Sequence, residues 1–303
     1  MFFTNAIAYK YKDTPNYEQT QFEEALQHEA AKPCGAQDIT SFGWVNALGK
    51  YGTTLAHFED GKILLKARRQ DKVLPTAVIN EMVAEKVSII EKEDNRPVKK
   101  KVRDDLKENI LSALLPSALV KSSYIYVFID TKAELIIVNA SSFNKAEETL
   151  ALLRKSLGTL PVTPAFADVA TDLALTEHIK EHWAPDGFEF GGDATFSDGH
   201  EKSSEVTLKD HELSSQQVQD LISNCFVTKV AMKTEQLRFT FETSGAIKQI
   251  KYSDIIKERN ADIPKEDMAK KLIADFILTS TELTNLVNNL SSQLKQKIDQ
   301  GYQ

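Results

Sequence analysis

Only two cysteines occur in 303 residues, Cys34 and Cys225, far apart and with no C-x-x-C spacing. This excludes a disulfide framework and a zinc ribbon, and both thiols are expected to be buried. No apolar run reaches the roughly 18 residues that cross a bilayer. The N-terminus, MFFTNAIAYKYK, lacks a basic start followed by an apolar block and a small-residue cleavage site. The expectation is a cytoplasmic, unprocessed chain with no membrane partner. Signatures of nucleotide chemistry and acyl transfer are missing as well: there is no P-loop, no G-x-G-x-x-G after a strand and no G-x-S-x-G. Tandem repeats and low-complexity tracts are absent too.

What is present is an ordinary globular composition. The 42% hydrophobic content is ample for a core, and the length allows about two domains. Net charge is −7, which taken alone argues against a nucleic-acid partner. Its distribution says more. Residues 1–165 hold 22 Lys and Arg against 21 Asp and Glu, whereas 166–303 hold 15 against 23. Within the first part, residues 62–121 hold 14 basic against 9 acidic residues. A molecule polarised in this way can present one basic surface to DNA while its acidic remainder stays in solvent.

The centre of that basic region is RPVKKKVRDDLKENILSALLPSALVKSSY, residues 96–124. Arg96, Lys99, Lys100, Lys101 and Arg103 precede the first acid, Asp104. Leu106, Ile110, Leu111 and Leu114 then recur at helical spacing until Pro116 stops them, so the basic run leads into a structured element. Lys and Arg presented like this neutralise phosphates without reading bases. A short lysine run beside a helix is also what any solvated surface can carry.

Along the chain, Phe3, Ile7, Tyr9 and Tyr11 indicate an opening strand, and Phe22, Ala25 and Leu26 a helix ending before Pro33. Strands at 54–59 and 62–69 flank Asp60-Gly61, a dipeptide suited to a two-residue hairpin turn. A helix over about 76–91 and a second ending near Leu115 read as a helical hairpin inserted between strands, because β pattern returns at 123–130 and 134–139. Ser142 and Gly158 bracket a helix over 143–157. Residues 187–199, rich in Gly and Asp, read as a loop, and 225–234, 236–243 and 246–252 as a three-stranded meander. Two helices, about 265–278 and 280–298, finish the chain. Leu283, Val287, Leu290 and Leu294 form a narrow seam on the last, packed on its own domain or against a second copy. Antiparallel strand pairs with helices and no regular βαβ alternation indicate α+β.

One enzymatic lead stands out. His178, Glu181 and His182 fit H-x-x-E-H, in which two histidines share a zinc and the glutamate is general base. Against it, the helix is cut short by Pro185 and no third ligand is singled out. A surface helix capped by Thr176, with Ile179 and Trp183 facing inward, is the favoured reading. Asp262, Glu266 and Asp267 cluster as a Mg²⁺ site would require, but acids that open a helix are equally explained by its dipole. No cofactor or metal is therefore assigned.

Several segments resemble a known family. KPCGAQDITSFGWV at 32–45, KVLP at 72–75, LLP at 114–116, TLALLRKSLGTLPVTP at 149–164 and ADFIL at 274–278 are similar, in order, to the RdgC family of recombination-associated proteins. The resemblance implies a non-enzymatic, nucleoid-associated protein that binds DNA largely without regard to sequence and restrains RecA-driven strand exchange. It further implies horseshoe subunits closing into a ring-shaped homodimer around double-stranded DNA, with single strands as a further possible ligand. A sheet-rich centre (1–75 and 122–165), a helical tip inserted in it (76–121) and a C-terminal α+β base (166–303) would compose each subunit. On this reading the phosphate contacts are Arg68, Arg69, Lys72, Arg96, Lys99, Lys100, Lys101, Arg103, Lys121 and Lys155. Dimer contacts are assigned to Leu119, Val120, Leu283, Val287, Leu290 and Leu294. Relatives can carry Arg and Phe where this chain has Ser117 and Leu119, so an aromatic wedge is not available there. The alternative reading is a protein-binding regulator of the recombination machinery whose DNA affinity is incidental.

Overall fold

The computed structural model describes residues 2–13, 17–199, 204–260, 263–264 and 267–301. Among them are twelve strands and eight α-helices, with a large antiparallel sheet, so the mixed class expected from the pattern is what forms. The chain divides into two compact units: residues 1–28, 46–66 and 125–303 in the larger, 29–45 and 67–124 in the smaller.

In the larger unit, β1 (Ala6–Tyr11) is apolar at nearly every position, because it is central and covered on both faces. Helix α1 (Gln19–Gln27) follows, capped by the Glu18 carboxylate, which accepts from the backbone N–H of Gln21. After β2 (Thr40–Val45), which belongs to the smaller unit, β3 (Ala56–Glu59) pairs with the start of β4 (Lys62–Val73). The turn between them is the one the sequence announces: Asp60 and Gly61 both have positive φ, 48° and 73°. Helices α2 (Thr76–Asp94) and α3 (Lys100–Leu114) separate β4 from β5 (Leu119–Asp130), which leads to β6 (Leu135–Val138), α4 (Phe143–Leu157) and β7 (Val162–Pro164). Helix α4 has the boundaries that Ser142 and Gly158 mark, although among the described residues the Ser142 side chain makes no capping hydrogen bond.

Helix α5 (Thr171–Lys180) precedes β8 (Glu189–Ser197), β9 (Glu205–Leu208), α6 (Gln216–Ile222), the meander β10 (Phe226–Lys233), β11 (Leu237–Glu242) and β12 (Ala246–Tyr252), then α7 (Asp254–Glu258) and α8 (Met268–Gly301). Hydrogen-bonded strands of this unit run in the order β4-β5-β6-β1-β12-β11-β10-β8-β9, with β7 also on β1. The inward faces bury Phe3, Phe128, Phe196 and Phe241 in one core with Phe276, Leu283, Val287, Leu290 and Leu294 of α8. An internal ion pair ties sheet to helix. Lys62 Nζ lies 3.9 Å from Asp130 Oδ2, which also accepts from the Thr284 hydroxyl at 3.1 Å, and all three side chains are buried.

Four expectations are corrected here. The stretch 187–199 is not a loop but largely strand β8. Its glycines permit close neighbours: a Cβ on Gly191 would sit 2.9 Å from the Ala231 Cβ, and one on Gly192 2.9 Å from the Asp210 Cα. The C-terminal helices are one helix, α8, because Ser280 is buried within it and donates to the Ile277 carbonyl at 3.0 Å instead of ending a turn; the expected start at Lys265 lies outside the described residues. Thr176 is no cap. It sits inside α5, donates to the Asp172 carbonyl and accepts from the Val227 N–H, while Trp183 is 74% exposed. The two cysteines are half-buried, not buried. Among the described residues, no helix is long and apolar enough to cross a membrane.

Candidate nucleic-acid interface

The smaller unit is built on α2 and α3, packed through Ile79, Val83, Val87 and Ile110, with Leu74, Met82, Val98, Leu106, Leu111 and Leu114 around them. That stripe is the helical periodicity of the sequence made physical. The link between the helices is held at both ends: Asn95 takes the left-handed conformation that ends α2, and Glu91 Oε1 accepts from the Val98 N–H at 2.9 Å. The basic run is thereby a fixed turn and helix start.

Arg96, Lys99, Lys100, Lys101 and Arg103 are all exposed. Arg96 pairs with Asp94 at 3.1 Å, Lys99 is the N-cap of α3, and the next two lysines open the helix. Its first turn contains no acid. This is the reverse of what the helix dipole favours. Cations near a helix N-terminus are disfavoured by about 0.3–1 kcal/mol each, so the element carries a cost that an anionic ligand would offset.

The remaining basic candidates fall into two groups. Lys121 is exposed on β5 and Lys155 on α4, the latter in the larger unit. Arg68, Arg69 and Lys72 are half-buried and already engaged. Arg68 Nη2 donates to the Ala31 carbonyl at 3.4 Å, Arg69 Nε to Asp71 Oδ1 at 2.9 Å, and Lys72 Nζ to the carbonyls of Ala36 at 2.5 Å and Leu115 at 2.7 Å. Sequence spacing could not separate these groups, because a half-buried lysine bonded to carbonyls and an exposed one look alike in a string.

The apolar candidates divide as sharply. Leu119 and Val120 open β5 and are 79% and 43% exposed, while β6 pairs with β5 only from Val127 onward. Leu283, Val287, Leu290 and Leu294 are fully buried in the chain's own core. They offer no surface to a second copy.

The H-x-x-E-H pattern does not form a ligand pair. Helix α5 ends at Lys180, and His182 has a positive φ of 64°, so the two histidines do not project from one helical face. His178 Nδ1 lies 3.2 Å from the Trp183 carbonyl oxygen, its Nε2 is buried without a partner among the described residues, and burial holds the imidazole below its ordinary pKa. Glu181 is engaged by Lys297, whose ammonium keeps the carboxyl below the usual range. Of the three clustered acids, Asp262 and Glu266 lie outside the described residues, and Asp267 pairs with Lys270 at 2.8 Å. Among the described residues, no group of three or more His, Cys, Asp or Glu side chains is placed to hold a metal ion.

Comparison with known proteins gives a consistent result. A family model described as "Putative exonuclease, RdgC" matches residues 1–297. A protein of Pseudoalteromonas translucida named recombination-associated protein RdgC is 50% identical over 97% of this chain and 98% of its own length. Proteins of the same name from Aeromonas hydrophila and Yersinia enterocolitica are 38% and 35% identical over the same shares. Likeness of this extent, from end to end, shows that the chain belongs to the RdgC family of recombination-associated proteins.

Proposed function

We propose that the protein binds double-stranded DNA without regard to sequence, as a ring-shaped homodimer that encircles the duplex and restrains RecA-mediated recombination, and that it does so without catalysing a reaction. The observation that carries this reading is the row of exposed cations from Arg96 to Arg103, held on a folded element at a helix start that electrostatics alone would populate with acids. Such a row meets phosphates as point charges and guanidinium forks. Lys121 and Lys155 extend the contact set. Arg68 and Lys72 have partners on other segments and serve it mainly by holding the pieces that carry the others, while Arg69 pairs with Asp71 on its own strand. Leu119 and Val120, exposed at the start of β5, are the apolar pair suited to a second copy.

The test is affinity for several unrelated duplexes over a range of salt. A steep, sequence-indifferent fall of log K with log salt is expected. Changing Lys99, Lys100 and Lys101 to Glu together is expected to weaken every duplex alike, by about 100-fold or more near physiological salt, since each phosphate contact contributes roughly 0.9 to the slope. Unaltered binding by this variant would remove the arm from the mechanism. Incubation of duplex with the protein and Mg²⁺ or Mn²⁺ is expected to leave the DNA intact, and stepwise shortening from the ends would contradict the non-enzymatic reading.

A further inference from the structure

The second half of the sequence is acidic, yet the register of its meander collects cations on one face. Lys233 of β10 stands directly opposite Arg238 of β11, and Arg238 directly opposite Lys251 of β12. Partners in register share a face and lie about 4.8 Å apart from strand to strand, so three cations form a row across the sheet. Like charges placed opposite one another destabilise a strand pair. Lys233 is neutralised by Glu189 at 2.6 Å, but among the described residues neither Arg238 nor Lys251 has an ion-pair partner, and both are exposed. The opposite faces of these strands supply Leu237, Phe239 and Ile250 to the core, which fixes the cationic face outward. The row borders a recess of about 620 Å³, also lined by Ser253, whose buried hydroxyl has no hydrogen-bond partner among the described residues, and by the acids Glu235 and Asp254. Asp254 is itself paired with Lys257 at 3.1 Å.

We infer that the Lys233–Arg238–Lys251 row is a second phosphate-binding surface, distinct from the basic arm, whose ligand is the backbone of a DNA duplex. One duplex strand presents a charge about every 3.4 Å of axis, so long side chains rooted at strand spacing can reach successive phosphates. This row fits a repeating polyanion better than one compact anion, because its cations are strung along a line. The uncompensated pairing of Arg238 with Lys251 is relieved when phosphates lie over it.

The inference rests on the duplex-binding reading, and the experiment separates the two. Wild type, an Arg238→Thr/Lys251→Thr variant and a charge-preserving Arg238→Lys/Lys251→Arg variant are titrated with a mixed-sequence duplex over a range of salt, and their thermal unfolding is recorded. Threonine suits a strand, and loss of like-charge opposition is expected to leave the melting temperature unchanged or raise it. The Thr variant is expected to bind roughly 30-fold more weakly near physiological salt, with a slope shallower by about 1.8, while the charge-preserving variant matches wild type. If wild type binds steeply and the Thr variant keeps its slope, the second surface is refuted and duplex binding stands. Equal loss in the charge-preserving variant refutes it too, since the effect would then be structural. If wild type itself shows no salt-dependent binding, the duplex reading falls and this surface with it.

Discussion

Lysine 72 shows how one cation can be read in two ways. Its ammonium donates to the carbonyls of Ala36 and Leu115, and removing it leaves the exposed Ala36 carbonyl to water but strands that of the buried Leu115. Lys72→Ala is expected to lower stability by about 1–3 kcal/mol, the cost of one partly buried carbonyl left unpaired, and to leave the salt slope of DNA binding unchanged. Denaturant unfolding and duplex titration of the same sample check both halves; a stable variant with a shallower slope would make Lys72 a phosphate contact. His178 gives a second test at this scale. Burial lowers its folded pKa below the unfolded value, so the unfolded chain binds the extra proton between the two. Its contribution is full above the unfolded pKa of about 6.5 and declines as pH falls through that value toward the folded one. His178→Gln is therefore expected to flatten the rise in the urea midpoint between pH 5.5 and 7.5, and an identical profile would show that the imidazole is not coupled to folding.

Among the elements, the buried Lys62–Asp130 pair joins the β3–β4 hairpin and β5 to α8. Asp130→Ala leaves the Lys62 ammonium uncompensated in the core, and a loss of about 3–5 kcal/mol is expected; a change under about 1 kcal/mol would mean that water reaches the pair. At the other end of β5, Leu119→Asp with Val120→Asp touches only exposed side chains. This variant is expected to keep its fold and sediment as a monomer, and an unchanged dimer would move the contact elsewhere. Elements whose signal is local were legible: Asp60-Gly61 fixes its hairpin, and Gly158, at positive φ, stops α4, because turn and helix-stop chemistry act over a few residues. Strand β8 was hidden because its glycines answer to Ala231 and Asp210, partners distant in sequence. The α8 seam was seen, but not what covers it, since an apolar stripe fits its own sheet or a second copy equally well until the sheet is placed. The same holds for the cations. Arg96 to Arg103 announce themselves by adjacency, whereas Lys233, Arg238 and Lys251 are brought into line only by strand register.

For the molecule as a whole, an overall charge of −7 does not oppose DNA binding when the cations are sorted onto particular surfaces. What an overall anionic chain cannot do is hold a duplex through diffuse attraction, and the proposed closed assembly of two copies would answer that weakness topologically, since enclosure persists when salt screens the charges. The most direct test loads the protein on a linear duplex, closes half of the sample by ligation, and washes both halves at raised salt before weighing the remaining particles. Two copies per particle, retained on the circle and lost from the open duplex, are the predicted result. Single copies, or equal loss from both forms, would contradict encirclement.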